Sequence, residues 1–423
     1  MPTPKPAAHD TPSADSTGTS AGSLHRLVLL GTLLAALCTP GCRDRSQTAD
    51  LMRDYSRVED PLARSEFPPE QQARFRFAEN LSIEYRDGEK RIRIHQPWRG
   101  AGFSLNYRLV GTPEAAATTI EGTTTFLVPA RRLVTTSSTQ LPHVEALGIT
   151  DRLVGHDRFD YVTSPTIRKR IDDGLMVEVG DGVRLNAEIL VDLQPDLVFV
   201  YSIGSPELDI LGLLEDADIP FAVDAAWVEA TPLARAEWIK FMAAFFNKEA
   251  VANRVFDDIA KRYGELELLA RGVDHRPTVL AGAPFRGTWH VPGGASFKAR
   301  LLHDAGGAYL WADDDSTGSV PLDLEAVYGH ALQAEVWIDP SDWRSLDDAL
   351  RRDPRMADFA AFQSERVYNN DRRMNDSGGN DYWETGTLRP DIVLADLIKI
   401  LHPELLPEHE LVYHRRLEYL ERH

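Results

Sequence analysis

The chain has 423 residues, more than one ordinary hydrophobic core organises, so its length indicates two domains or a two-lobed body. A composition of 43% hydrophobic and 26% charged residues excludes a disordered chain and an integral membrane bundle. The excess of 65 acidic over 46 basic residues gives a net charge of −19, which repels nucleic-acid backbones, so no nucleic-acid partner is expected.

The first part of the chain has the pattern of an export signal. Arg26 precedes an eleven-residue apolar run, Leu27 to Leu37, which is too short to cross a bilayer because that takes about 20 residues. A basic residue, a short apolar segment and a small residue before the cut are typical of a secretory signal peptide. The two cysteines, Cys38 and Cys42, both precede the body of the chain, which therefore holds neither a disulfide nor a thiolate metal site.

The residue pair Gly41-Cys42 resembles the lipobox of lipoproteins, in which the cysteine is diacylated and becomes the new amino terminus. Thr39 and Pro40 depart from the residues usual at those two positions. We therefore predict a signal peptide over residues 1–41 and lipidation at Cys42, which would hold an exported protein on a membrane. An ordinary cleaved signal, or a buried apolar helix with a stray cysteine, is the alternative.

The next region changes from polar to strand-like. Residues 42–76 are polar and predict a flexible tether, while residues 77–130 predict a small antiparallel β appendage. The evidence for the appendage is the Asp87-Gly88 pair between two alternating runs, which is the strongest short hairpin signal.

From Arg132 onward, strands and helices alternate, which favours a parallel α/β layer. The stretch from Lys248 to Ala270 carries apolar residues at spacings of three or four and predicts a helix about 35 Å long. The alternation then restarts after Pro277. The predicted fold is α/β, with two Rossmann-like lobes of parallel sheets joined by one long rigid helix. The predicted bounds are an N-terminal lobe over 131–230, linker helices over 231–272 and a C-terminal lobe over 273–423.

Aromatic, glycine and arginine residues concentrate in three loops that follow predicted strands, where a rigid scaffold holds binding residues. Aromatic rings there offer flat apolar contact, and arginines suit an anionic ligand. In the alternative interpretation these loop residues have structural roles instead of ligand contacts: Trp383 packs against a helix and Arg373 forms a salt bridge. The candidate ligand residues in these loops are Tyr201, Arg286, Trp289, Arg372 or Arg373, Tyr382 and Trp383.

Sequence motifs for nucleotide binding and for a serine nucleophile are absent, and no cofactor is expected. A cell-envelope hydrolase using Asp381 and Glu384 is one alternative, since two carboxylates three residues apart can share a helix face. Another alternative is the binding of a bare metal ion, for which His143, His156 and His290 would have to converge.

Several separated segments together resemble the class III periplasmic substrate-binding proteins of ABC importers, the vitamin B12 and iron-siderophore group. The resemblance covers about residues 131–400, and two of the segments point to a lipoprotein subset of that group. The segments are Arg132-Leu-Val-Thr-Thr, Leu185-Asn-Ala-Glu188, Leu193-Gln-Pro-Asp-Leu-Val198, Asp323-Leu-Glu325 and, for the subset, Arg235-Ala-Glu-Trp-Ile-Lys-Phe241 and Gly379-Asn-Asp-Tyr-Trp-Glu384.

This resemblance implies a monomeric binding protein, not an enzyme, that captures an iron chelate or a corrinoid between its lobes. It places ligand contacts near Tyr161, Tyr201, Trp289 and Trp383. It also implies that Glu188 and Glu325, one on each lobe, dock on arginines of the ABC permease. The alternative for these two glutamates is structural, because a carboxylate in the first turn of a helix favours the helix dipole by about 0.3–1 kcal/mol.

Overall fold

The computed structural model describes residues 67–182, 184–204 and 210–420. The predicted signal peptide, Cys42 and residues 42–66 of the predicted tether lie outside them. The described chain forms an N-terminal sheet followed by two α/β lobes, which confirms the predicted fold class.

The N-terminal sheet has the strand order β1-β2-β3-β4. The predicted hairpin turn is present, and Asp87 and Gly88 both have positive φ angles of 53° and 75°, as a type I′ turn requires. The first three strands are antiparallel, but β4 is parallel to β3, because the chain returns through a short helix before it enters β4. The antiparallel prediction is therefore wrong for the fourth strand. The elements are β1 (Leu81–Arg86), β2 (Glu89–Ile94), β3 (Leu105–Val110), α1 (Pro113–Ala116) and β4 (Thr124–Leu127).

This sheet shares its core with the following lobe and is not a detached appendage. Tyr107 and Phe126 lie within 6.5 Å of the Phe245 ring, between ring centroids, and all three side chains are buried. The Tyr107 hydroxyl also accepts a hydrogen bond of 3.0 Å from the backbone N–H of Val223. Burial of these rings joins the two parts into one hydrophobic cluster.

The prediction of a flexible tether is wrong for residues 67–76, because a buried ion pair holds this end of the segment. The Glu237 carboxylate accepts backbone hydrogen bonds from Arg76, Phe77 and Ala78, at 2.8–3.1 Å. Lys240 pairs with Glu237 at 2.7 Å and donates to the carbonyl of Arg74. Both charged side chains are buried, so each needs these partners.

The N-terminal lobe is a parallel sheet with the strand order β7-β6-β5-β8-β9. Its strands are β5 (Leu133–Thr135), β6 (Leu153–His156), β7 (Val177–Glu178), β8 (Leu197–Tyr201) and β9 (Phe221–Asp224). Its helices are α2 (Leu141–Ala146), α3 (Pro165–Asp172), α4 (Ala187–Leu193) and α5 (Leu211–Asp216).

Three helices then lead to the second lobe. The first predicted linker helix is two short helices, α6 (Pro232–Ala236) and α7 (Ile239–Ala244), and the long helix is α8 (Glu249–Arg271). The buried face of α8 includes Ala252 and Phe256, whereas Leu269, near the end of the helix, is exposed.

The C-terminal lobe has a sheet of order β13-β10-β15-β16-β17, parallel except for the last pair, and a small antiparallel sheet of order β11-β12-β14. Its strands are β10 (Thr278–Ala281), β11 (Pro284–Phe285), β12 (Thr288–Pro292), β13 (Ala308–Tyr309), β14 (Ser319–Leu322), β15 (Val336–Ile338), β16 (Val367–Asn369) and β17 (Arg415–Arg416). Its helices are α9 (Phe297–Asp304), α10 (Leu324–Ala331), α11 (Leu346–Arg352), α12 (Ala360–Gln363), α13 (Thr385–Leu388) and α14 (Pro390–Leu401).

A second buried carboxylate joins the two lobes directly. Glu384, just before α13, accepts backbone hydrogen bonds from Thr163 at 2.7 Å and from Ser164 at 2.9 Å, at the start of α3. Burial raises the pKa of Glu384 to about 7, although these bonds oppose that rise. This contact between the lobes therefore carries a group that titrates near neutral pH.

We predict that Glu237→Gln destabilises the protein by about 3 kcal/mol, because it leaves the Lys240 ammonium buried without its counter-charge. Urea unfolding measures this change. Glu265→Gln, which alters an exposed carboxylate on α8, is the control and should change the free energy of unfolding by less than about 0.5 kcal/mol. Equal stabilities of the two variants would contradict the role given to the Glu237 pair.

We also predict that the contribution of Glu384 to stability depends on pH. Its pKa is higher in the folded than in the unfolded protein, so the folded state binds the extra proton, and stability falls as pH rises from about 4.5 through 7. Urea unfolding of the wild type and Glu384→Gln at pH 5 and pH 8 tests this. The wild type should be less stable relative to Glu384→Gln at pH 8 than at pH 5. A difference that is equal at both pH values would contradict the assignment.

Candidate functional site

A cleft lies between the two lobes, where the carboxyl ends of both main sheets meet. Tyr201 and Asp224, at the ends of β8 and β9, line it from one lobe, and Asp339 and Asn369, after β15 and at the end of β16, line it from the other. Strand ends of this kind hold the ligands of open α/β sheets.

The cleft has an inner compartment of about 370 Å³ and an outer compartment of about 1010 Å³. Volumes in this range are typical of pockets for small molecules. Five side chains form the wall common to both compartments: Trp227, Arg235, Phe297, Tyr382 and Trp383. Four of the five are aromatic, so a ligand that reaches both compartments would contact flat apolar surfaces.

Arg235 is the charged member of this common wall. It donates hydrogen bonds to the backbone carbonyls of Glu229, at 2.9 Å, and Trp227, at 2.7 Å, and its guanidinium lies 3.7 Å from the centroid of the Phe297 ring. Burial lowers the pKa of Arg235 to about 10, and the nearby positive charge of Arg99 adds to that effect. Arg235 is therefore a protonated cation at neutral pH that the protein orients through neutral partners.

The inner compartment contains two titratable side chains whose pKa values burial shifts toward their neutral forms. Burial lowers the pKa of His143 to about 4, and no residue of the described chain forms a hydrogen bond to its Nδ1 atom. Burial raises the pKa of Asp224 to about 6, although its carboxylate accepts a bond from the backbone N–H of Ala226. An imidazole that is neutral at pH 7 suits an apolar ligand better than a cation would.

The outer compartment is more polar. Lys298 forms an ion pair with Asp339 and donates a 3.0 Å hydrogen bond to the Tyr382 hydroxyl. Burial alone would lower the pKa of Lys298, but the Asp339 carboxylate raises it above its ordinary value. This network holds the Tyr382 ring in the wall between the compartments.

The structure places Tyr201, Tyr382 and Trp383 together in the cleft walls. Tyr201 and Trp383 keep 40% and 49% of their surfaces exposed, so both rings are accessible to a ligand. The three residues come from both lobes.

The prediction of a ligand contact is wrong for Trp289. Side chains alternate along β12, so Trp289 points into the core, where it stacks on Trp337 with 5.3 Å between ring centroids, and its neighbour His290 lines the outer compartment instead.

The structure also places three other candidates away from both compartments. Arg286 lies in the turn between β11 and β12, with its guanidinium against the exposed Phe285 ring. Arg373 forms a salt bridge of 2.8 Å with Asp381, as its structural alternative predicted, because that carboxylate is buried and needs a cation. Tyr161 lies under the guanidinium of Arg158.

Several residues of the site were not among the candidates from the sequence, including Arg99, Trp227, Arg235, Phe297 and Lys298. Trp227 lies in a short turn directly after β9, so the rule that binding residues follow strands was sufficient to find it. Arg99 comes from the N-terminal sheet and Lys298 from α9, and no sequence motif marks either residue.

The residues behind the two alternative functions have structural roles. Asp381 accepts hydrogen bonds from the hydroxyls of Thr163 and Thr385, and Glu384 binds the start of α3, so neither carboxylate faces the cleft as a free base. His156 bonds to Thr135 at 2.8 Å, and within the described chain no three His, Cys, Asp or Glu side chains form a group that could hold a metal ion. These contacts give Asp381, Glu384 and His156 structural partners within the protein.

Glu188 and Glu325 are exposed, and each lies in the first turn of a helix, α4 and α10. Asn186 and Asp323 cap these helices through their side chains, so the helix ends do not need the glutamates as caps.

Comparison with known proteins identifies the family. Two uncharacterized lipoproteins of Methanocaldococcus jannaschii are similar to this chain: one is 28% identical over 66% of this chain and 66% of its own length, the other 26% identical over 69% and 75%. The chain thus spans slightly less than two thirds of the first relative.

No helix of the described residues is long and apolar enough to cross a bilayer.

Two solved structures share the fold. A possible iron-binding, periplasmic solute-binding protein of Staphylococcus epidermidis is 16% identical, with a TM-score of 0.51 over 65% of this chain and 99% of its own. A periplasmic binding protein of Veillonella parvula is 12% identical, with a TM-score of 0.53 over 77% of this chain and 98% of its own. Residues 133–374, more than half of the chain, match the family described as periplasmic binding protein. The chain therefore belongs to the periplasmic binding protein family.

Proposed function

We propose that this protein is the substrate-binding component of an ABC importer and that it captures a metal complex, either an iron complex such as a siderophore-like chelate or a corrinoid, in the cleft between its lobes. The observation that carries the proposal is the wall of four aromatic rings and Arg235 that both compartments share. Such a wall offers stacking and charge contacts to a bound molecule, which supports a role in recognition.

The cleft supports a ligand with a large apolar face. Trp383 and Phe297 present rings from one lobe and Trp227 and Tyr201 from the other, so an inserted planar ligand would lose water on both sides. The neutral state of His143 avoids an unpaired charge in the inner compartment. Affinity in this arrangement comes from desolvation of the rings, and orientation comes from the few polar groups.

Delivery would use the two exposed glutamates. Glu188 and Glu325 lie on different lobes, both near the positive ends of helices and both accessible to a partner, and we propose that they dock on cationic side chains of the permease. Lipidation at Cys42, a further part of the proposal, would keep the binding protein on the membrane that holds the permease. The lipoprotein relatives support this part.

Native mass spectrometry of the protein purified from its own host, together with fluorescence titration by a ferric hydroxamate, a ferric catecholate, an iron porphyrin and cobalamin, tests the proposal. We expect one ligand to bind at a 1:1 ratio without chemical change. Conversion of the bound molecule would favour an enzyme, and binding of free Fe³⁺ but of no chelate would favour the bare-metal alternative.

Trp383→Ala should weaken binding of that chelate about tenfold, which corresponds to about 1.4 kcal/mol, because it removes an exposed ring from the common wall. Phe285→Ala, which removes an exposed ring of the same lobe outside the cleft, is the matched control and should bind like the wild type. Equal affinities of the two variants would place the ligand elsewhere.

The double variant Glu188→Arg with Glu325→Arg should lose chelate uptake in cells and retain the wild-type dissociation constant, because both side chains lie outside the cleft. Uptake of the radiolabelled chelate and titration of the purified protein measure the two properties. A double charge reversal at exposed Glu215 and Glu408 is the control and should transport normally. Normal uptake by the Glu188 and Glu325 variant would refute the docking role.

A further inference from the structure

The loop between β2 and β3, residues 95–104, leaves the N-terminal sheet and reaches the mouth of the cleft. Trp98 packs against Gly204 beyond β8, so closely that a Cβ atom on Gly204 would lie 2.3 Å from the indole. Gly204 also has a φ of +70°, which favours glycine. Phe103 supports the indole from the edge, with 5.2 Å between ring centroids. The position of this loop on the N-terminal lobe is therefore set by close packing.

Arg99 extends the same loop across the cleft. Its Nη1 atom donates a 2.6 Å hydrogen bond to the hydroxyl of Thr317, in the loop before β14 of the C-terminal lobe. Its guanidinium lies 5.5 Å from the centroid of the Trp227 ring in the N-terminal lobe. One residue of the N-terminal sheet thus contacts both lobes, and it lines the outer compartment.

The charges around this compartment are unevenly paired. Three of its aspartates already have cationic partners: Asp339 with Lys298, Asp342 with Arg352 and Asp371 with Arg415.

These aspartates form ion pairs, but Arg99 and Arg235 do not. Neither guanidinium has a carboxylate of the described residues within 4.0 Å. The Nε atom of Arg99 is buried with no hydrogen-bond partner in that part of the chain. Each guanidinium contacts an aromatic ring and a neutral oxygen instead. Two nearby cations that form no ion pair with the described residues and lie in a partly desolvated wall are costly, and an anion between them would lower that cost.

We propose that the loop of residues 95–104 is part of the ligand site, and that Arg99 and Arg235 together bind an anionic oxygen group, a carboxylate or a phosphate, on the captured chelate. This inference rests on the proposed function and narrows it to acidic chelates. It also gives the N-terminal sheet a role, because the sheet places Arg99 over the mouth of the cleft.

The experiment compares pairs of chelates in which one member carries acidic groups that the other lacks. The pairs are iron(III) protoporphyrin IX with its dimethyl ester, cyanocobalamin with cobinamide, which lacks the phosphate, and succinylated with unmodified ferrioxamine B. Dissociation constants are measured for the wild type, Arg99→Ala and Arg99→Lys. In the pair that binds, we expect the wild type to prefer the acidic member. The Arg99→Ala variant should bind the acidic member at least about tenfold more weakly than the wild type does, and it should bind the other member with unchanged affinity. Arg99→Lys should recover part of the loss.

Two control variants separate charge from loop placement. Arg86→Ala removes an exposed arginine at the far end of the same sheet and should bind like the wild type. Thr317→Val removes the hydrogen bond across the cleft but keeps the Arg99 charge, so it should affect both members of a pair equally.

A wild type that binds the members of a pair equally, or an Arg99→Ala variant that weakens both equally, would overturn the anion site and leave the proposed function standing. A wild type that binds none of the six chelates would overturn this inference, and one that also binds no ferric catecholate would overturn the proposed function.

Discussion

The buried ion pair between Glu237 and Lys240 determines how the N-terminal part of the chain joins the rest of the molecule. A buried carboxylate must be fully bonded, and Glu237 meets that condition with three consecutive backbone N–H groups and the Lys240 ammonium. The segment before β1 can therefore occupy only one position against α6 and α7. Because the N-terminal sheet follows directly, its loop at residues 95–104 is held at the mouth of the cleft.

The same short stretch of helix also contributes to the cleft. Arg235 lies two residues before Glu237 and points to the opposite side, into the wall that both compartments share. The segment Arg235-Ala-Glu-Trp-Ile-Lys-Phe241 thus links the N-terminal sheet to the ligand site through one backbone. This gives a physical reason for a distinctive sequence segment that composition and periodicity leave unexplained.

The location of a candidate residue could be predicted from the sequence where its place in the chain determines its environment. Tyr201 ends a parallel strand, and such ends meet at the cleft, so its position follows from the pattern. Trp289 and His290 show the limit, because strand alternation sends one side chain inward and the other outward, and the sequence does not say which. Arg373 and Asp381 show another limit, since a salt bridge and a ligand contact require the same residue types.

The order of strands, helices and turns was determined by the sequence alone, because hydrophobic period and glycine position act locally: the Asp87-Gly88 hairpin, the alternating lobes and the long helix α8 were all predictable. The tertiary structure decided which side chains share a surface. It brought Arg99 from the first sheet next to Arg235 and Trp227, residues more than a hundred positions away, and it made Glu384 a contact between the lobes. Such contacts depend on how whole elements pack, which no local pattern in the chain encodes.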